Sequence, residues 1–191
     1  MKLKKNPLVT VYITNHNYGK YITKAINSVL NQSMDNFELI IIDDGSKDNS
    51  KKIIDKFEKN KKIISVFQKN KGLTVSNNLA IRLSRGKYIM RLDADDWLDV
   101  NALQIMSNYL EKNKKIGLVF PDYFEVDEKG NIINLVRRHD FKKVKLLDKP
   151  AHGACTMIRK ECLTKIGGYS EKFDRQDGYY LWVKFIQRYG V

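Results

Sequence analysis

The chain has 191 residues, 42% of them hydrophobic, enough for one sizeable core and short for two. Lys and Arg number 35 against 22 Asp and Glu, a formal charge of +13 with a pI near 9.6, which excludes an acidic or low-hydrophobicity disordered chain. With 11 Gly and 3 Pro, collagen-like and Pro-rich linker architectures are also excluded.

The first half alternates strand and helix signals. Residues 8–14 alternate with β-branched side chains and read as a strand. Residues 18–32 carry Tyr21, Ile22, Ala25, Ile26, Val29 and Leu30 at helical spacing, a stripe suited to packing on a sheet. Residues 37–42 form a continuous apolar run of the kind buried on both faces of a parallel sheet. Asp48 or Ser46 is placed to cap a helix reaching about residue 59. Residues 63–67 are a third strand, 73–84 a third helix and 87–92 a fourth strand after the turn at Gly86. This rhythm predicts an open α/β sheet with right-handed crossovers. Beyond it the spacing predicts a helix over 99–112, a strand over 116–120 and a hairpin over 123–136. A strand over 154–158 and an aromatic-rich amphipathic helix over 177–189 follow. Repeats, low-complexity tracts and linkers are absent from the sequence, so one domain is expected.

Two cysteines, Cys155 and Cys162, make no disulfide scaffold and read as free thiols in a reducing compartment. The longest apolar run of interest, Leu39 to Ile42, is strand-sized and far short of the roughly 18 residues that span a bilayer. The basic start is not followed by the apolar region of a signal peptide. A cytoplasmic protein is the expectation, with peripheral contact at the inner face of the cytoplasmic membrane left open. The positive charge by itself is compatible with nucleic acid, an anionic membrane or phosphorylated small molecules.

Two acidic clusters sit where strands end, the border of the ligand crevice in an open α/β sheet. Asp43-Asp44 follow the second strand and Asp93-Ala94-Asp95-Asp96 the fourth. Grouped carboxylates repel one another unless a cation or hydrogen-bond donors compensate them. In extended backbone, residues two apart point to one side, so Asp93 and Asp95 converge. Two hard oxygen ligands suit Mg²⁺ or Mn²⁺, with phosphate oxygens and water completing the shell. An EF-hand is excluded, because Leu98 occupies the position where its loop requires Gly.

The segments Val11-Tyr12-Ile13-Thr14-Asn15-His16-Asn17-Tyr18, Ser28 to Gln32, Ile42-Asp43-Asp44-Gly45-Ser46 and Leu92-Asp93-Ala94-Asp95-Asp96 together resemble family 2 glycosyltransferases. The resemblance continues through Arg159-Lys160-Glu161 and Gly167-Gly168-Tyr169 to Gln176-Asp177, and so covers nearly the whole chain. It implies the GT-A fold, an α/β domain with a nucleotide-sugar-binding half (about 1–98) and an acceptor-binding half (about 99–191). It further implies transfer from a nucleotide-sugar, most often a UDP-sugar, to a saccharide or lipid-linked saccharide during cell-surface polysaccharide or lipopolysaccharide synthesis. Thr14 and His16 match positions that hold the base, His16 as a stacking face, and Asp44 the acid that hydrogen-bonds it. Asp43 would support the ribose or the loop. Asp93 matches the acid near ribose and metal, and Asp95 the direct metal ligand. Asp177 matches the catalytic base; one base without a carboxylate nucleophile implies single displacement with inversion.

The chain departs from the family pattern in places. Gln176-Asp177 replaces Glu-Asp, and Ser76-Asn77-Asn78 replaces Ala-Arg-Asn, so the cation for the diphosphate is expected from Lys69 or Lys71, or the metal carries more of the charge. His152 and Trp182 are candidates for the acceptor site, with a loop role and a core role as their respective alternatives. Many relatives continue with further helices, so the chain is either a minimal member or a shortened one. A nucleic-acid-binding module is the second class, but the lysines are scattered and no recognition motif accompanies them, so no nucleic acid is expected. A sugar-nucleotidyltransferase would show a Gly-rich loop after the first strand, where Asn15 to Lys20 holds a single Gly.

Overall fold

A computed structural model describes residues 6–137, 154–172 and 177–189, the side chain of residue 177 excepted. The first half runs β1 (Val9–Asn15), α1 (Ile22–Leu30), β2 (Phe37–Asp44), α2 (Ser50–Asp55), β3 (Ile63–Gln68), α3 (Leu73–Leu83) and β4 (Tyr88–Asp93). The second half adds α4 (Ala102–Lys112), β5 (Leu118–Val119), β6 (Tyr123–Val126), β7 (Ile132–Val136), β8 (Met157–Arg159), α5 (Lys160–Lys165) and α6 (Asp177–Arg188). Six strands form one sheet in the order β3-β2-β1-β4-β8-β5, with β6 and β7 as a separate hairpin. The pairings among β3, β2, β1 and β4 are parallel, and β8 runs antiparallel between β4 and β5. The expected α/β architecture, a mostly parallel sheet flanked by helices, is the observed one.

Strand alternation sends side chains to two cores. Val9, Val11 and Ile13 of β1 pack with Leu39, Ile41, Met90 and Leu92 against α1 and α4. Tyr12, Ile40, Ile42 and Ile89 face the other way, against Ala80 and Ile81 of α3, Leu163 of α5 and Leu181, Trp182 and Phe185 of α6. β2 is buried along its whole length, as its unbroken apolar run predicts.

The differences from the sequence expectations have local causes. The helix expected from residue 18 begins at Ile22, because Tyr18 opens a turn whose carbonyl accepts the N–H groups of Tyr21 and Ile22. The helix expected to reach residue 59 ends at Asp55, and Asp48 spends its carboxylate on the N–H groups of Gly19 and Ser50. The last strand is displaced to Met157–Arg159, after Cys155 in a left-handed conformation (φ 58°). α5 follows that strand and was not anticipated. Arg159, 5% exposed, explains why this late segment docks: it donates to the carbonyls of Ile116, Leu110 and Asn113 and to the Tyr88 hydroxyl. It thereby satisfies carbonyls at the C-terminal end of α4 that the helix itself leaves open.

Candidate nucleotide-sugar site

β2 and β4 run on into their acids, so Asp43, Asp44 and Asp93 are strand residues whose directions the pleat decides. In register, Thr14 lies opposite Ile42 on β2 and Asp93 on β4, and Tyr12 opposite Arg91. Thr14, Asp44, Arg91 and Asp93 therefore share one face, at the carboxyl ends of three neighbouring parallel strands. A cavity of about 290 Å³ opens there, lined by Thr14, Asn15, His16, Tyr18, Asp44, Leu73, Ser76, Arg91, Asp93, Ala94 and Asp95.

Asp43 points to the opposite side of the sheet and does not line the cavity. Its carboxylate accepts the N–H of Ser46 at 2.9 Å and an amide N–H of Asn15 at 2.8 Å, holding the turn after β2. Asp44 is 5% exposed and receives three donors: Gln68 Nε2 at 2.7 Å and the Lys71 N–H at 2.9 Å on Oδ1, and the Gly72 N–H at 2.8 Å on Oδ2. Gln68 is in turn tied to Ser76. Lys71 thus meets Asp44 through its backbone, and its side chain is not part of the cavity wall. Gly45 permits this close approach: its φ is +79°, and a Cβ there would lie 2.7 Å from the Asn70 nitrogen.

His16 stands at the rim. Its Nδ1–H donates to the Asp44 carbonyl at 2.9 Å, and its Nε2 accepts an amide N–H of Asn17 at 3.1 Å, an arrangement that assigns the neutral Nδ1–H tautomer. Asn17 has a φ of 62° and ties the turn together, its own N–H donating to Ser46 Oγ and its Oδ1 accepting the Lys47 N–H.

Asp93 and Asp95 both reach the cavity, but not by extended backbone as expected. β4 ends at Asp93, and the chain turns there, the Asp96 N–H donating to the Asp93 carbonyl at 3.1 Å. Arg91 Nε donates to Asp93 Oδ1 at 2.7 Å, and Nη2 lies 3.4 Å from Oδ2. Burial works against the Arg91 charge, yet Asp93 more than offsets it and holds the guanidinium above its usual range. Asp96 carries the opposite burden: loss of hydration, then the charges of Asp93 and Asp95, push its carboxyl up to about 6. This corner retains uncompensated negative charge. The donor set fits a hard divalent cation, although among the described residues no three His, Cys, Asp or Glu side chains would hold one unaided.

Trp182 is 1% exposed within the core against α6 neighbours, so it serves packing and presents no surface for a sugar. Asp177 is the first residue of α6. Its side chain, like His152, lies outside the described residues. Sequence reasoning missed Asn15, Tyr18, Leu73, Ser76, Arg91 and Ala94 as wall residues. Arg91 alone carried a signal, a single charge inside an otherwise apolar strand.

A larger cavity, about 570 Å³, is lined by Gly86, Lys87, Arg159, Lys160, Glu161, Thr164 and Lys165, beside the start of β4. Three of its cations are already engaged, Lys87 by Glu111, Lys160 by the Ser84 carbonyl and Arg159 as described above. The smaller cavity holds the acids and the strand ends, and it is the candidate site.

A crevice at the carboxyl ends of parallel strands is where an open α/β sheet takes its ligand, and here it is walled by carboxylates. The family described as Glycosyl transferase family 2 matches residues 10–167, and the chain belongs to that family. It is 36% identical over 133 residues to a chondroitin synthase of Escherichia coli, covering 69% of this chain and 19% of that protein. It is 30% identical over 189 residues to a hyaluronan synthase of Pasteurella multocida, covering 97% of this chain and again 19% of the relative. The chain thus spans about a fifth of the length of these synthases. Its fold matches S. aureus TarS 1–349 in complex with UDP, with a TM-score of 0.78 at 18% identity over 93% of this chain and 54% of that one. A mannosyltransferase from Pyrobaculum calidifontis, in complex with GDP-Man and Mn²⁺, matches with a TM-score of 0.74 at 18% identity over 98% and 54%. The fold is GT-A. Among the described residues, no helix is long and apolar enough to cross a membrane.

Proposed function

We propose that the chain transfers a sugar from a nucleoside diphosphate donor, a UDP-sugar foremost, to an acceptor hydroxyl with inversion at the anomeric carbon. The observation that carries this reading is the cavity itself: Thr14, Asp44, Asp93 and Asp95, brought from three strands and one turn, wall one crevice at the sheet's carboxyl edge. The acceptor is a saccharide or lipid-linked saccharide, and the setting is cell-surface polysaccharide or lipopolysaccharide synthesis, in keeping with the synthases the chain resembles.

In this reading the loop that Asp44 holds receives the base, with the His16 ring, fixed through both its nitrogens, as the stacking face. Asp93 accepts from the ribose. Asp95, with Asp93 beside it, holds a divalent cation, Mn²⁺ or Mg²⁺. Such a cation, when bound, supplies electrostatic stabilisation of the departing diphosphate. Asp177 takes the proton of the acceptor hydroxyl as its oxygen bonds to the anomeric carbon and the bond to the diphosphate breaks. His152 remains a candidate on the acceptor side.

The test is isothermal calorimetry of UDP with the purified chain, in Mn²⁺ and in EDTA. Binding that strengthens with Mn²⁺, and loses that dependence in Asp95→Ala, is the expected result. No UDP binding in either condition overturns the reading.

A further inference from the structure

We propose that Arg91 is a positioning residue of the donor site: it fixes the orientation of Asp93 and cancels its charge before any ligand arrives. The inference rests on the donor-site reading above and deepens it. Three carboxylates, Asp93, Asp95 and Asp96, crowd the end of β4, and a diphosphate brings further negative charge to the same place. Arg91 meets Asp93 through two nitrogens, at 2.7 and 3.4 Å, and the two side chains are 10% and 25% exposed, so the pair is only partly screened by solvent.

The support behind Arg91 comes from a motif that the reaction itself does not use, Gly167-Gly168-Tyr169. Tyr12, directly across from Arg91 on β1, is buried in the same core as Tyr169, and both tyrosines lie within electrostatic reach of the guanidinium. Tyr169 is clasped by Asn78 of α3, which accepts its N–H at 3.0 Å and donates to its carbonyl at 2.9 Å. Gly168, at φ +68°, makes the clasp possible, since a Cβ there would lie 2.8 Å from Asn78 Oδ1. The support thus runs from the Asn78–Tyr169 clasp, through the core that Tyr169 shares with Tyr12, to Arg91 beside Tyr12 and its bond to Asp93. It gives Asn78 of the Ser-Asn-Asn triplet a purpose without any phosphate contact.

An ion pair that is merely structural and one that manages charge for the ligand respond differently to charge rescue. The experiment measures UDP affinity by calorimetry in EDTA and in Mn²⁺ for wild type, R91Q, R91K and the double variant R91Q/D93N. Leaving Asp93 uncompensated should weaken UDP binding in EDTA about tenfold in R91Q, with the loss shrinking as salt is raised. The double variant removes the stranded carboxylate and should recover several-fold of that loss, and it also guards against misfolding of R91Q. R91K keeps the charge without the fork and should fall between wild type and R91Q. Equal losses in R91Q and R91Q/D93N, or an R91Q loss independent of salt, overturn the inference while leaving the donor site standing. Failure of the wild type to bind UDP overturns the donor-site reading and takes this inference with it.

Discussion

Asp44→Asn separates the base-binding role that the family resemblance implies for this acid from the loop-holding role its hydrogen bonds give it. Three protein donors converge on two carboxylate oxygens: Gln68 Nε2 and the Lys71 N–H on one, the Gly72 N–H on the other. An asparagine offers one oxygen and one NH₂. In either orientation at least one backbone N–H then faces another N–H, and the surviving bonds lose their charge assistance. Hydrogen bonds to charged groups are worth about 1.5–3 kcal/mol each, and water can reach the exposed Lys71 and Gly72, so the expected loss is about 2 kcal/mol. For a chain of this length that lowers Tm by about 4–8 °C. The assay is thermal unfolding of wild type and D44N in EDTA without nucleotide, paired with amide hydrogen exchange at Lys71 and Gly72. Exchange at those two amides should speed up while the β1 and β2 ladders stay protected. If D44N melts with wild type and both amides keep their protection, yet UDP affinity falls, Asp44 acts on the nucleotide alone and the loop-holding argument is wrong.

Asp177→Asn should reduce turnover about 10²–10⁴-fold, read as UDP release from donor, with UDP affinity unchanged in calorimetry; undiminished turnover removes Asp177 as the base. Asp96, held up to about 6, keeps its proton in the folded chain between its ordinary 3.8 and 6, so its contribution to stability falls as pH rises through 6. In EDTA, D96N should therefore be more stable than wild type at pH 7, by about 1 kcal/mol at most once screening of the exposed side chain is counted, and equal to it at pH 4. Denaturant titrations at the two pH values measure this, and parallel profiles contradict it. Glu111 carries the opposite sign: Lys114, Lys87 and Tyr88 hold its carboxyl down to about 2, so its stabilisation is present above its ordinary 4.5 and is lost as pH falls towards 2. E111Q should cost under about 1 kcal/mol at pH 7, since the group is a third exposed, and a smaller amount at pH 2, where the carboxyl is half protonated.

Periodicity made the first half of the fold legible because its strands and helices are each long enough to show a face. β8 was not legible in the same way. Three residues show no period, and their place between β4 and β5 depends on Arg159 finding carbonyls on α4, a tertiary match that no local pattern reports. At the site, residue type located the acids, and only the family resemblance gave Asp43 and Asp44 different roles; residue type by itself could not. The pleat gives the physical reason, by sending one to each face of β2. Lys71 was expected through its ammonium and enters through its N–H, which every residue but proline possesses. Trp182 lay on a helical stripe that fits core and surface equally, and packing decided for the core.

The charges of the site run against those of the molecule. A chain of formal charge +13 lines its candidate donor cavity with three carboxylates, Asp44, Asp93 and Asp95, against one guanidinium. The overall field draws an anionic donor in, but within the crevice the near charges decide. Asp44 is answered by two backbone N–H groups and Gln68, and Asp93 by Arg91. The remaining negative charge is that of Asp95 and Asp96, and the carboxyl of Asp96 is raised first by burial and then by Asp93 and Asp95. A diphosphate entering that corner adds like charge to like, so under the proposed function the requirement for a cation follows from how the protein has already spent its donors. Arg91→Gln enlarges the deficit, and Asp95→Ala removes the oxygen on which the cation depends. The two variants should therefore move metal-free and metal-bound UDP affinity in different proportions.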